Sequence, residues 1–439
     1  MDLRLALLLL LSACIAFALI TVPPMRGDFT VAYNWANGPG FVAVVGIDDA
    51  PRNVTLFTEE GYESWMKDKP GTAVFNGLLR RGDFLIIETP PGRYVLAVYP
   101  LPFAGGRTQT YISPYDRWAP VGVMSLPREP LEVSAAAGYF EARSLKARGY
   151  RYGMKPGVNG TSIQLNAMVA LELADGEKQY YFVQNVLDLL TDEWKYSFTV
   201  NIYNDTSRSQ ALSRKAVSGR GGIHWHIYAW SYYGYRTHEE RYSLPFSGFL
   251  IINVTAVGGA ARIDFGYNVG GGVVWYDSVT IKPYAPVERA HILAGHAVTP
   301  IYSIASLELV LCAYGGGTFY AELDEVDVRL ALLVWGGAGW RPAPRIFNFG
   351  FNTAEAVSLN VEARLINGTV RVTKGEFKPM LLAEEPPAPD TPPPHAVFKP
   401  PQADTWLLVA AAAFIFIAAG GMWISRRASR TRRRSFRRL

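Results

Sequence analysis

Short apolar runs separated by turns dominate the chain from residue 29 to about residue 372. The clearest early runs are 41–47, 84–88 and 94–98, five to seven residues each. That is strand length, too short for most helices. Pro90-Pro91-Gly92 supplies a turn before the last of them. Only Glu60 to Lys67 has the composition of a short helix. The pattern predicts a small N-terminal β-sandwich over residues 24–110. Further on, Ser162–Ala167 and Gln179–Gln184 alternate with a period of two, so each sends alternate side chains to opposite faces of a sheet. Tyr and Trp are dense from Trp225 to Tyr242, which suits strands. The triplets Gly270-Gly271-Gly272 and Gly315-Gly316-Gly317 fall where hairpins or bulges belong. A larger β-rich domain is therefore expected over residues 111–373, and the fold class is all-β.

The two ends read differently. An apolar run from Leu5 to Ile20, broken only by Ser12, makes residues 1–23 a signal peptide or signal anchor. Residues 384–404 form a Pro-rich stalk, with eight Pro between Glu384 and Gln402. Such a segment is expected to run extended in the polyproline II manner. Trp406 to Ile424 carries no charge, long enough for one transmembrane helix spanning 405–425. The Arg-rich tail, 426–439, would lie on the cytoplasmic side. These features predict a single-pass type I protein of the cell membrane with an extracellular ectodomain.

Charge and cysteine usage narrow the function. The net charge of +5 becomes −3 once the eight Arg of the last fourteen residues are set aside. A nucleic-acid partner therefore loses its electrostatic support. Cys14 lies in the leader and leaves Cys312 alone, so no intrachain disulfide staples the ectodomain. Five N-x-[ST] sequons, at Asn53, Asn159, Asn204, Asn253 and Asn367, fall in the exterior segment.

No G-x-S-x-G elbow, H-E-x-x-H, phosphate loop or D-[ST]-G triplet occurs. His224 and His226 alternate on one strand near His238, but no further ligand stands at a recognisable spacing. No metal or other cofactor is expected. What remains is carboxylates, which can hydrolyse an amide when two share a proton: one activates water and the other donates. The acids in apolar or aromatic settings are Glu141, Asp188, Asp264, Asp277, Glu308 and Glu355.

A set of blocks, in order, carries a resemblance. Ser162-Ile163-Gln164-Leu165-Asn166-Ala167 and Tyr180-Tyr181-Phe182-Val183-Gln184-Asn185-Val186 resemble the paired Q-L-N and V-Q-N strands of the thermopsin family. Ala119–Val123, Tyr276–Ile281, Glu308-Leu309-Val310 and the Phe347–Glu355 block are similar to further family segments in the same order. The likeness runs over about residues 111–365. It implies an acid endopeptidase at the outer cell surface, acting on protein or peptide substrates without a cofactor. Asp277, Glu308 and Glu355 fall inside the family-like blocks and are the expected catalytic carboxylates, with Glu141 and Asp188 in reserve. Asn352 stands where the family block has Asp. If that Asp is catalytic, the chain is instead a non-catalytic cell-envelope or carbohydrate-binding protein derived from the same fold.

Overall fold

A computed structural model describes residues 20–22, 30–36, 40–46, 50–100, 110–206, 212–225, 231–298 and 304–390. Residues 1–19 of the expected leader, residues 391–404 of the stalk, the apolar run at 405–425 and the Arg tail lie outside the described residues, whereas Ile20–Val22, at the end of the expected leader, pairs with Gly71–Leu79 as a strand. No helix among the described residues is long and apolar enough to cross a membrane.

Strands account for nearly all of the regular structure. The one described α-helix is Glu59–Met66, where the sequence places it. Thr58 caps it by accepting the Gly61 N–H on its hydroxyl at 3.0 Å, and Glu59 and Glu60 complement the helix dipole.

The small N-terminal sandwich has a five-stranded sheet facing a three-stranded one. The central strand of the latter, Gly40–Gly46, explains why 41–47 reads as an unbroken apolar run. Val42 and Val44 face Val54, Leu56, Leu96 and Val98 inside the sandwich. Phe41, Ala43 and Val45 point the other way, into the core of the larger domain. Both faces are buried, so alternation disappears. The Thr110–Asp116 strand completes this sheet by pairing with Gly40–Gly46. The small sandwich thus reaches past residue 110 into the larger domain's own sequence.

The larger domain stacks two broad antiparallel sheets. One runs through Lys195–Asn204, Lys178–Leu190, Gly160–Leu173, Leu307–Ala313, Val121–Ser125 and Ile346–Phe349. The other runs through Val274–Ile281, Ala260–Asn268, Phe246–Val257, Ala135–Arg151 and Tyr320–Trp335. Ile163, Leu165, Leu187 and Phe198 of the first meet Phe140, Ile252, Phe265 and Leu330 of the second in one core. Asn185 crosses that core: its amide donates to the Ile251 and Gly266 carbonyls at 2.9 Å each, and its oxygen accepts the Tyr276 hydroxyl at 2.7 Å.

The Pro-rich segment departs from expectation at its start. Leu381–Ala383 pairs with Ile346–Phe349 as an edge strand. Asn348 grips the same segment, donating to the Lys378 carbonyl at 2.7 Å and accepting from the Met380 N–H at 2.9 Å. Glu384 sits 3.2 Å from Arg128 and 3.6 Å from Arg345. The backbone at 388–389 passes so close over Gly368 that a Cβ there would stand 2.5 Å from the Ala388 carbonyl oxygen. Residues 384–390 therefore lie on the body, because edge hydrogen bonds and two cations hold them.

Candidate active site

The outward face of the first sheet is polar and yet buried. In Gly160–Leu173 the odd residues Ile163, Leu165 and Ala167 enter the core, so Ser162, Gln164 and Asn166 face away from it. Register fixes their partners: Ser162 opposes Asp188 and Cys312, Gln164 opposes Val186 and Val310, and Asn166 opposes Gln184 and Glu308. Gln184 donates to Gln164 at 3.1 Å and to Asn166 at 3.2 Å. Gln164 in turn donates to Ser162 at 3.0 Å, and Ser162 to the Ala313 carbonyl at 2.7 Å. Glu308, Asn166, Ser162 and Cys312 are all fully buried. A saturated polar network of this kind fixes its members rigidly, whereas an unsatisfied one would be costly.

Glu308 is held in a nest of donors. Ser306 donates its hydroxyl at 2.5 Å, the Phe351 N–H at 2.8 Å and the Asn352 N–H at 3.2 Å to either carboxylate oxygen. Burial raises its pKa, and the donors, including the Asn166 amide, pull it back. Gly350 is required here, since a Cβ would lie 2.7 Å from Oε2 of Glu308. Asn352 does not touch the carboxylate through its side chain. Its amide donates to the Ile304 carbonyl at 3.0 Å and to the Ser306 oxygen at 2.7 Å. Two acceptors at that spot favour an amide over an ionised Asp.

Asp188 lies further along the same face. Thr199 donates to it at 2.7 Å and the Arg236 guanidinium stands 3.7 Å away. Burial pushes its carboxyl up to about 7 against the lowering influence of Thr199 and Arg236, and the Glu355 charge pushes in the same direction. Arg236 also donates to Tyr314 and lies over its ring. Half-buried Glu355 accepts the Thr353 hydroxyl, and Thr353 reaches the Cys312 thiol as well. Burial and the charges of Glu355 and Glu308 raise the Cys312 pKa, so the thiol is a neutral bystander.

The structure thus brings Glu308, Glu355 and Asp188 to one face, and places Asp277 elsewhere. Asp277 is buried between the two sheets, opposite Phe265. It accepts the Tyr233 hydroxyl at 2.7 Å, the Arg220 N–H at 3.1 Å and the Ser278 N–H at 2.9 Å. Its acceptors hold the 220–221 turn, and the structure does not bring it to the face shared by Glu308, Glu355 and Asp188. Asp277→Asn should destabilise the fold by about 1–3 kcal/mol, the cost of a disturbed buried network, so that the unfolding temperature falls, and leave kcat per folded molecule unchanged. Thermal denaturation with active-site-normalised rates checks this.

Glu141 lies on the outward face of the other sheet, paired with Arg143 at 2.8 Å and Arg329 at 3.7 Å. Asp264 is tied there to Arg262, Ser278 and Asn253. Asn253 is itself fully buried, so a glycan on that sequon is incompatible with the fold. His224 and His238 are exposed, and His226 lies outside the described residues. Glu132, Glu172 and His291 come within 4.8 Å of one another, but Arg289 and Lys178 already neutralise both carboxylates.

A cleft of about 490 Å³ runs beside the loop that carries Glu355, with Trp118, Tyr152, Tyr320, Phe351 and Thr353 among its walls. Tyr152 is 81 % exposed at its rim.

Thr199 and Arg236 beside Asp188, and Ser306 beside Glu308, are neighbours that the sequence reading did not single out. The signal was parity: Gln184, Val186 and Asp188 share one face with the Ser162-x-Gln164-x-Asn166 row.

A two-sheet β protein that buries carboxylates on a hydrogen-bonded sheet face beside an open cleft has the parts of a hydrolase. The thermopsin family model matches residues 108–361. Thermopsin of Sulfolobus acidocaldarius is 26 % identical over 330 residues, covering 72 % of this chain and 87 % of that protein. The chain belongs to the thermopsin family, a family of peptidases.

Proposed function

We propose that the protein is an acid endopeptidase that uses carboxylates to activate water, displayed at the outer cell surface by its C-terminal apolar segment. The observation that supports the mechanism is the placement of two buried carboxylates, Asp188 and Glu308, on one polar sheet face, with half-buried Glu355 on the loop that borders the cleft. Asp188 keeps its proton up to about pH 7 and serves as the general acid toward the peptide carbonyl oxygen, recovering that proton as the carbonyl re-forms. Glu355, the more exposed partner, takes a proton from the attacking water and passes it to the leaving amine. Glu308 fixes the loop between it and the cleft. A polypeptide lying in the cleft would pass along the 351–356 segment.

Cleavage of a denatured protein between pH 2 and pH 8 tests this. The expected rate falls as the pH rises through about 7, where Asp188 ionises, and Glu355→Gln abolishes it. Activity that peaks at alkaline pH, or that a chelator abolishes, would sink the carboxylate reading. Tyr152→Ala should raise KM about tenfold with kcat unchanged, since it removes binding area that the ground state and the transition state share equally. An equal fall in kcat would put Tyr152 in a different role.

A further inference from the structure

We propose that Tyr115, on the strand shared with the small sandwich, is a positioning residue for Glu308, orienting the loop N–H groups that hold its carboxylate. The inference rests on the carboxylate reading above.

The Tyr115 hydroxyl donates to the Gly350 carbonyl at 2.7 Å in a buried setting. That carbonyl belongs to the same planar trans peptide as the Phe351 N–H, so the two point in opposite directions. Fixing the oxygen on one side aims the N–H on the other, and this N–H meets Glu308 Oε1 at 2.8 Å. The preceding peptide is pinned too, because the Gly350 N–H donates to the Pro120 carbonyl at 3.1 Å. Asn352 N–H follows on the same turn and reaches both carboxylate oxygens at 3.2 Å. Hydrogen bonds in series also polarise one another, so the Tyr115 donor strengthens the one at Glu308.

The tyrosine ring has no freedom to do otherwise. It stacks on Phe41 at 4.6 Å between centroids and meets Phe349 edge-on at 6.0 Å. Phe41 comes from the central strand of the small sandwich. The chain segment before the family-matched region therefore supports the site through one buried phenol. Glu308 is faced by Ser306, Asn166, Phe351 N–H and Asn352 N–H, and the ionisable neighbours of this face are Cys312, Glu355 and Asp188.

Tyr115→Phe keeps the ring stack and deletes the donor. In the full chain, kcat should fall about five- to tenfold, the equivalent of one ordinary hydrogen bond. KM and the near-ultraviolet circular dichroism should stay at wild-type values. Infrared titration of the protonated Glu308 carboxyl, its band assigned by its loss in Glu308→Gln, should shift to higher pH in Tyr115→Phe. Wild-type kcat together with an unshifted Glu308 titration would overturn the inference and leave the peptidase reading intact. Full activity in Glu308→Gln would instead show that the loop does not need the Glu308 carboxylate, and the infrared shift would still decide whether Tyr115 governs that carboxylate.

Discussion

Asp188→Asn is expected to cut peptide hydrolysis by about 10²–10⁴-fold, the usual worth of a positioned general acid, and to make the protein more heat-resistant at neutral pH. The second effect follows from the first cause. An unfolded Asp titrates near 3.8 and this one near 7 when folded. Between those values the folded state binds the proton more tightly, so stability falls as the pH climbs from about 4 to about 7. Above that window the whole cost is present, on the order of 4 kcal/mol; below about pH 4 it is absent. An amide has the carboxylic acid's shape and never ionises, and its oxygen still accepts from Thr199. Arg236 loses a counter-charge, but at 43 % exposure water replaces most of it. Paired measurements of kcat and unfolding temperature at pH 4 and pH 7 decide the matter. A variant with wild-type activity removes Asp188 from the reaction. A variant whose stability still declines from pH 4 to pH 7 shows that another group carries the titration.

Removing the small sandwich should destroy the fold of the rest. The three-stranded sheet of the sandwich is one wall of the main core, to which it gives Phe41, Ala43, Val45 and Tyr115. Phe349, fully buried, packs against Phe41 at 4.9 Å, Tyr115 at 6.0 Å and Phe84 at 6.0 Å. Phe84 also meets Phe347 at 4.5 Å and Phe351 at 5.5 Å. Expression from residue 110 onward would strip these rings of their partners and leave the Thr110–Asp116 strand unpaired. Aggregated product without peptidase activity is expected. The single change Phe349→Ala tests the same interface more gently and should cost about 3–5 kcal/mol, read by chemical denaturation. A soluble, active fragment lacking the sandwich would refute the assignment.

The strands were legible in the sequence because their signals are local. A seven-residue apolar run at 41–47, the alternation at 162–167 and the glycine triplets each declare themselves within a few positions. Positive φ at all six triplet glycines bears out the turns. The acids were not legible, since what separates Asp277 from Asp188 is which side of a sheet each occupies. Asp277 sits among aromatic residues and inside a family-like block, yet its environment is a set of committed hydrogen bonds between sheets. Glu308 lies within its block, but the Phe351 N–H that it accepts stands on a distant segment, and Ser306, two residues before it, carries no signal of its own. Asn352 showed a departure whose meaning came only with its two acceptors. The hold on residues 384–390 was equally hidden, because Arg128 and Arg345 are far from Glu384 along the chain.

The row of Ser162, Gln164 and Asn166, set against Ile163, Leu165 and Ala167, behaves like a reading frame. Adding one residue within this strand would exchange the two rows beyond it, sending amides into the greasy interior and aliphatics onto the polar side. Fold and chemistry would fail together from a single inserted codon. Lineages can therefore vary the loops of this fold in length, but these strands only by replacement at a fixed count.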